Sequence, residues 1–140
     1  MKNRKLQKHF IRGVFDTDGW LKFSKQSKPV HYYPRIRIQS KESIYGKEIG
    51  EILSKLGFNY SSWDDTRREN TVFYYEISGV PMLEKWIKEI GIGNIVQGSR
   101  YLFWRKFGFF ETKLSFLERC EKIDLNLATN YINVGAPDIS

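Results

Sequence analysis

The chain has one cysteine, Cys120, and only two histidines, His9 and His31, in 140 residues. A lone cysteine cannot close an internal disulfide, so the fold must rest on packing and a reducing interior is expected. Two histidines cannot build a histidine-rich metal centre, and no Ser–His or Cys–His arrangement for nucleophilic catalysis stands out. No run reaches the ~18 apolar residues of a membrane span. Met1 is followed by Lys2, Arg4, Lys5 and Lys8 without an apolar stretch after them, which is not the form of a secretory signal. The same residues fit an amphipathic import signal as well as a helix, so an organelle stays open beside a cytoplasmic, nucleoid-associated location. Acidic residues are scarce at one end: residues 1–41 hold 11 Lys and Arg against two acids, while the other 99 hold 12 against 14. A basic half joined to a nearly neutral one points to a polyanion on one face, with DNA or RNA the leading candidates.

With 41% hydrophobic and 28% charged residues, the composition is that of an ordinary globular domain. No linker, low-complexity tract or internal repeat divides it; residues 1–125 read as one domain and 126–140 as a loose C-terminal tail. Leu6, Phe10, Ile11, Val14 and Phe15 recur at helical spacing, predicting a helix over about 5–17 with Gly19 at its C-cap. Residues 20–23 and 32–40 read as strands separated by a polar turn, the second alternating Ile36 and Ile38 with Arg35, Arg37 and Gln39. Ile44, Ile49, Ile52, Leu53 and Leu56 then mark a second helix stopped by Gly57. Strands over 58–63 and 71–78 follow, joined by "DDTRREN", and "VPMLEKWIKEIGIG" reads as a third helix with proline in its first turn. "SRYLFWRKF" is expected to be a fourth, short helix and "SFLERCEKIDLNL" a fifth.

Two hairpins flanked by helices make an α+β layer fold: one antiparallel four-stranded sheet with helices on one face. Leu21, Phe23, Ile36 and Ile38 would face the helices. Lys22, Ser24, Gln26 and Lys28, with Tyr33, Arg35 and Arg37, would occupy the free face. Such a face can simply be solvated. Its donors and cations also suit phosphates and base edges in a major groove. Arg67 and Arg68, in the second hairpin's turn, are further candidates for DNA contact.

The stretch "FIRGVFDTDGW", residues 10–20, places Asp16 and Asp18 at the end of an apolar helical run. Acids there face the negative end of the helix dipole, at a cost of a few tenths to about 1 kcal/mol each. A polar helix stop would explain "DTDG" without function. A calcium loop would not: counted from Asp16, it needs glycine where Leu21 stands and a bidentate glutamate where Ser27 stands. A bound cation at one of the carboxylates would offset the cost.

"IRGVFDTDG", residues 11–19, resembles the nonapeptide that names the LAGLIDADG homing endonucleases. Gly13, Asp16, Asp18 and Gly19 match outright, and Ile11, Val14 and Phe15 keep apolar positions; Arg12 and Thr17 stand where the name has alanine. The likeness extends through the element order to about residue 107, including "SKES" after the second strand, and less specifically through "GSRYLFWRKFGF", which is similar to archaeal or intein-type members. It implies an αββαββα fold and a site-specific DNA endonuclease. The motif helix would pair with a second copy, so one motif per chain implies a homodimer and a pseudo-palindromic site. Ile11, Gly13, Val14 and Thr17 would form the helix interface, Gly13 permitting close approach. By position, Asp18 would bind Mg²⁺ (or Mn²⁺), with the Thr17 backbone carbonyl as a further oxygen ligand. Asp16, two residues away and off that face, would make structural hydrogen bonds near the strand start. Gln39, Ser40 and Lys41 would surround the attacking water, Lys41 foremost. Arg100, with Lys106 in reserve, would be the second basic group, and His9 and His31 would be incidental or DNA-facing. The resemblance also allows a non-cleaving module, an RNA maturase or transcription factor. A basic face that meets an acidic protein is the third reading.

Overall fold

The computed structural model describes residues 3–41, 43–66, 71–124 and 134–135. Asn3 starts the first helix: its side chain accepts the backbone N–H groups of Lys5 and Leu6, two donors with no partner inside the helix. Helix α1 runs Arg4–Asp18, and β1, Gly19–Ser24, begins on the next residue. Gly19 makes that abrupt turn possible through space rather than torsion. Its φ of −109° suits any residue, but a Cβ there would lie 2.5 Å from Phe15 Cδ1 and 2.8 Å from the Phe15 carbonyl oxygen. Gly19 is the C-cap, as expected, in an extended conformation.

The remaining elements are β2 (Tyr33–Ser40), α2 (Ser43–Lys55), β3 (Ser61–Asp65), β4 (Val72–Ser78), α3 (Val80–Glu89), α4 (Ile95–Phe107) and α5 (Phe116–Lys122). Strand β3 starts three residues later than its apolar residues suggest, because Phe58 is buried in the core instead of paired in the sheet. Helix α4 is longer than expected. Asn94 caps it, accepting from Val96 and Gln97, so it starts ahead of the apolar run, and Gly108 ends it in the left-handed region.

The sheet is antiparallel in the order β1-β2-β4-β3, so both hairpins form and their second strands meet in the middle. Leu21, Phe23, Ile36, Ile38, Tyr75 and Ile77 point toward the helices and are buried. Helices α1, α2 and α3 pack on that side. Trp86 of α3, fully buried, has its ring 5.5 Å from that of Phe15 and 5.4 Å from that of Phe58. The fold is α+β with helices on one face, as expected.

Helix α4 deals with the exposed edge of β1. Gln97 accepts the Leu21 N–H at 2.8 Å, and Arg100 Nε donates to the Leu21 carbonyl at 2.7 Å. A lone edge strand offers such groups to any other chain, and here two side chains one helical turn apart satisfy them. The tail expected to be loose is pinned at one point: Val134 is buried and exchanges backbone hydrogen bonds with Ile92 at 2.8 and 2.9 Å.

Candidate active site and nucleic-acid face

The two aspartates of the opening motif have opposite surroundings. Asp16 Oδ1 accepts the backbone N–H groups of Gly93 and Asn94 at 2.9 and 3.1 Å, and Asn94 Nδ2 returns a bond to the Asp16 carbonyl at 3.0 Å. Its other oxygen lies 3.8 Å from Arg12 Nε. Asp16 therefore locks the end of α1 to the start of α4, where a carboxylate also meets the positive end of that helix dipole. The expectation of a structural role near the strand start is corrected in place: its partners are in the α3–α4 connection. Asp18, by contrast, is exposed and has no hydrogen-bond or ion-pair partner among the described residues.

Asp18 opens into a cavity of about 390 Å³ lined by Phe10, Val14, Asp18, Gln39, Ser40, Lys41 and Ile49. Phe10, Val14 and Asp18 recur every four residues and so share one stripe of α1. Gln39 and Ser40 end β2, and Lys41 follows. The register Gly19↔Ile38 sets the end of α1 beside these residues, so the close of the motif helix and the end of the second strand face one space. Gln39, Ser40 and Lys41, assigned to this site from sequence, gather at Asp18. Among the described residues no group of three or more His, Cys, Asp and Glu comes together. One carboxylate beside a helix terminus fits a hard cation completed by water and by groups from outside the chain, not a closed cage.

Across the sheet from the helices, the open face differs from expectation in one central respect. Trp20, Arg37, Glu76 and Ser61 form one cross-strand row; Lys22, Arg35 and Ser78 form the next. Glu76, almost buried, sits between the two arginines: its Oε1 accepts from Arg37 Nε at 3.1 Å and Nη2 at 2.6 Å, and its Oε2 accepts from Arg35 Nη1 at 3.3 Å. Arg35 also donates to Ser24, Ser78 and Gln26 at 3.1–3.2 Å. Tyr74 and Trp63, paired across strands, stack at 5.3 Å with 13° between planes. Ser24, Tyr33, Arg35, Arg37 and the exposed Lys22 stand on this face as predicted. Gln26 and Lys28 lie past the end of β1 at Ser24, in the turn; the Gln26 side chain still reaches Arg35 on this face, whereas Lys28 Nζ sits 4.9 Å from the Tyr32 ring. Arg67 and Arg68 lie outside the described residues. Glu76, Trp20, Trp63 and Tyr74 were not among the residues predicted for this face, although the alternation of Tyr74, Glu76 and Ser78 with the inward Tyr75 and Ile77 already sets Tyr74 and Glu76 on the side away from the helices.

The family model described as a LAGLIDADG-like domain matches residues 5–91, well over half the chain. The chain belongs to the LAGLIDADG-like family. No curated protein matches the sequence. The matched span runs from the first turn of α1 through α3 and contains the whole sheet.

Within this LAGLIDADG-like frame, the motif helix divides between inward and outward residues. Ile11 is fully buried in the core of its own chain. It therefore cannot meet a second copy, which corrects its assignment to the interface. Gly13 is exposed, and a Cβ on it would meet nothing within 4 Å, so it is not packed inside its own chain. Val14 is half-buried at the cavity wall, and the exposed Thr17 turns its hydroxyl back onto the Gly13 and Val14 carbonyls at 3.0 and 3.3 Å. Arg12 reaches neither solvent nor the helix face: Nη1 donates to the Ile90 carbonyl at 3.2 Å.

The second basic group assigned from sequence is elsewhere. Arg100 bonds the Leu21 carbonyl, and its guanidinium lies 4.4 Å from the Phe110 ring centroid. Burial, with Arg119 beside it, lowers its pKa to about 10, which still leaves it charged at neutral pH. It secures the edge of β1 and does not line the Asp18 cavity. Lys106 Nζ donates to the Lys122 carbonyl at 2.8 Å near α5, so the reserve candidate is displaced as well. His31 Nδ1 lies 3.2 Å from the Phe23 carbonyl, and its own carbonyl accepts from Phe110, which makes it part of the scaffold; His9 is exposed on α1.

Proposed function

We propose that this LAGLIDADG-like chain is a metal-dependent, site-specific DNA endonuclease acting as a homodimer on a long pseudo-palindromic site, of the kind that mobilises introns or inteins. One observation carries the reading: of two aspartates in one helix end, Asp16 is fully engaged in the scaffold while Asp18 opens, unpartnered among the described residues, into a cavity it shares with Gln39, Ser40 and Lys41. A carboxylate left free at the wrong end of a helix dipole is costly without a cation. Asp18 would hold Mg²⁺ (or Mn²⁺), with the Thr17 carbonyl, in the last turn where carbonyls lack intrahelical partners, as a second ligand. Such an ion, when bound, makes water a nucleophile near neutral pH and stabilises the leaving oxygen of a phosphodiester. Lys41 places a positive charge at the cavity for the phosphate, and Gln39 offers a donor and an acceptor to orient water. The open Gly13 lets two motif helices approach, bringing the second Asp18 that a single chain lacks.

A non-cleaving module, an RNA maturase or transcription factor, is the second reading. It is favoured by the position of Arg100 and Lys106, which leaves Lys41 as the one basic residue lining the cavity among the described residues. Incubating the protein with random-sequence duplex libraries and with its own genomic locus, with and without Mg²⁺, separates the two. Staggered double-strand cuts, lost in Asp18→Asn, are expected. Tight salt-dependent binding to DNA or RNA without cuts, indifferent to that substitution, would establish the module. No salt-dependent binding to either would remove both and leave an intracellular protein-binding domain.

A further inference from the structure

Arg35 and Arg37 stand side by side on the open face, but their hydrogen bonds leave them unequally available. Every guanidinium nitrogen of Arg35 is engaged, by Ser24, Glu76, Ser78 and Gln26. Among the described residues Arg37 uses one edge of its fork, Nε and Nη2, both on Glu76 Oε1. Its guanidinium carbon also lies over two aromatic rings, 5.6 Å from the centroid of Trp20 and 5.1 Å from that of Trp63. What remains is the Nη1–Nη2 edge: two parallel N–H groups in the geometry that pairs with O6 and N7 of guanine in a major groove.

We infer that Glu76 is a specificity-determining positioning residue, which aims the free edge of Arg37 at a guanine while cancelling its charge toward phosphate. The inference rests on the nucleic-acid reading of this face and names the base it reads. A carboxylate is out of place on a surface built only to hold a polyanion, because every phosphate contact depends on cationic charge. On a surface that discriminates bases it has two uses. It reduces sequence-independent attraction, and it holds a flexible side chain in one orientation, as supporting hydrogen bonds do around any pre-organised site. The contacts with Trp20 and Trp63 further restrict the same guanidinium. Arg35, with four of its five N–H donors engaged, both of those on Nη1 among them, has no free Nη1–Nη2 edge and belongs to the frame.

Selection from a random-sequence DNA duplex pool, followed by affinity measurement over a range of salt, tests this without requiring cleavage. Wild type is expected to select a G·C pair at one position of each half-site. Glu76→Gln should weaken that preference at least about fivefold, the lower end of a bidentate guanine contact. At the same time it should raise affinity for non-selected duplex and steepen the log–log salt slope by about 0.9 per subunit, as one uncancelled positive charge requires. Glu76→Asp keeps the charge but shortens the arm, so it should lose the preference while keeping the wild-type slope; it also carries the test if Glu76→Gln melts early. In an Arg37→Ala background neither substitution should change discrimination further. Preference retained within twofold in both Glu76 variants, or affinity lost evenly on all sequences, overturns the inference and leaves the nucleic-acid reading intact. A wild type that selects no sequence and shows no salt-dependent binding overturns that reading itself.

Discussion

Removing the two aspartates of α1 one at a time should move stability in opposite directions. In Asp16→Ala the N–H groups of Gly93 and Asn94, half-buried and bonded at 2.9 and 3.1 Å, lose their acceptor. An unsatisfied donor costs ~1–3 kcal/mol, and a carboxylate at the start of α4 adds a few tenths more. The loss should total roughly 2–4 kcal/mol, with Asp16→Asn near 1 because an amide oxygen can still accept both bonds. Asp18→Ala removes no bond to any described residue. It relieves an acid from the negative end of the α1 dipole and installs a better helix former, a gain of about 0.5–1 kcal/mol. Equilibrium urea unfolding at matched protein concentration measures both, the matching being needed because self-association adds to apparent stability. The two variants should therefore differ by ~3–5 kcal/mol although the residues are two apart. If Asp18→Ala is destabilising by more than about 1 kcal/mol, Asp18 has a structural partner and the site reasoning is refuted.

The exposed Gly13 should behave as a contact-permitting glycine: Gly13→Ala is expected to raise chain stability by ~1 kcal/mol. Gly13→Leu should convert a dimer to a monomer in light scattering; a dimer that survives it would exclude close helix approach there. Arg100→Met loses the 2.7 Å bond to Leu21 and the contact with Phe110. It should cost about 2 kcal/mol in urea unfolding, with duplex affinity per folded molecule unchanged; affinity lost without stability would return Arg100 to the binding site. Burial raises the pKa of Cys120, and chiefly burial raises those of Tyr75 and Tyr101. Raised acids contribute stability at low pH that disappears as pH climbs through their folded values. The urea midpoint should therefore begin to fall as pH rises past about 9, through Cys120, while the tyrosines act only above pH 10, where Arg100, lowered to about 10, acts with the opposite sign. Cys120 should react with iodoacetamide at pH 8 only after unfolding; rapid native labelling would show the thiol to be accessible.

The linear pattern was enough to establish the element order and the inward faces of β1 and β2, and to single out Asp18, which opens into the cavity. These depend on local periodicity and on a short motif, both of which are properties of neighbouring residues. Strand β3 and helix α4 were misplaced at their starts because Phe58 is claimed by the core and Asn94 by a cap, decisions made by distant partners. Ile11 illustrates the same limit: its apolar character is visible in sequence, but whether it faces its own core or a second copy depends on where the sheet lies. Arg100 looked catalytic by position and proved to serve the Leu21 edge, because α4 docks beside β1. Glu76 shows it most sharply. It lies 39 residues from Arg37 and 41 from Arg35 along the chain, and only the pairing of β2 with β4 brings the three together. Periodicity can tell which side of a strand a residue occupies; register, set by the packing of the whole sheet against its helices, decides what stands opposite, and so which charges are free to act.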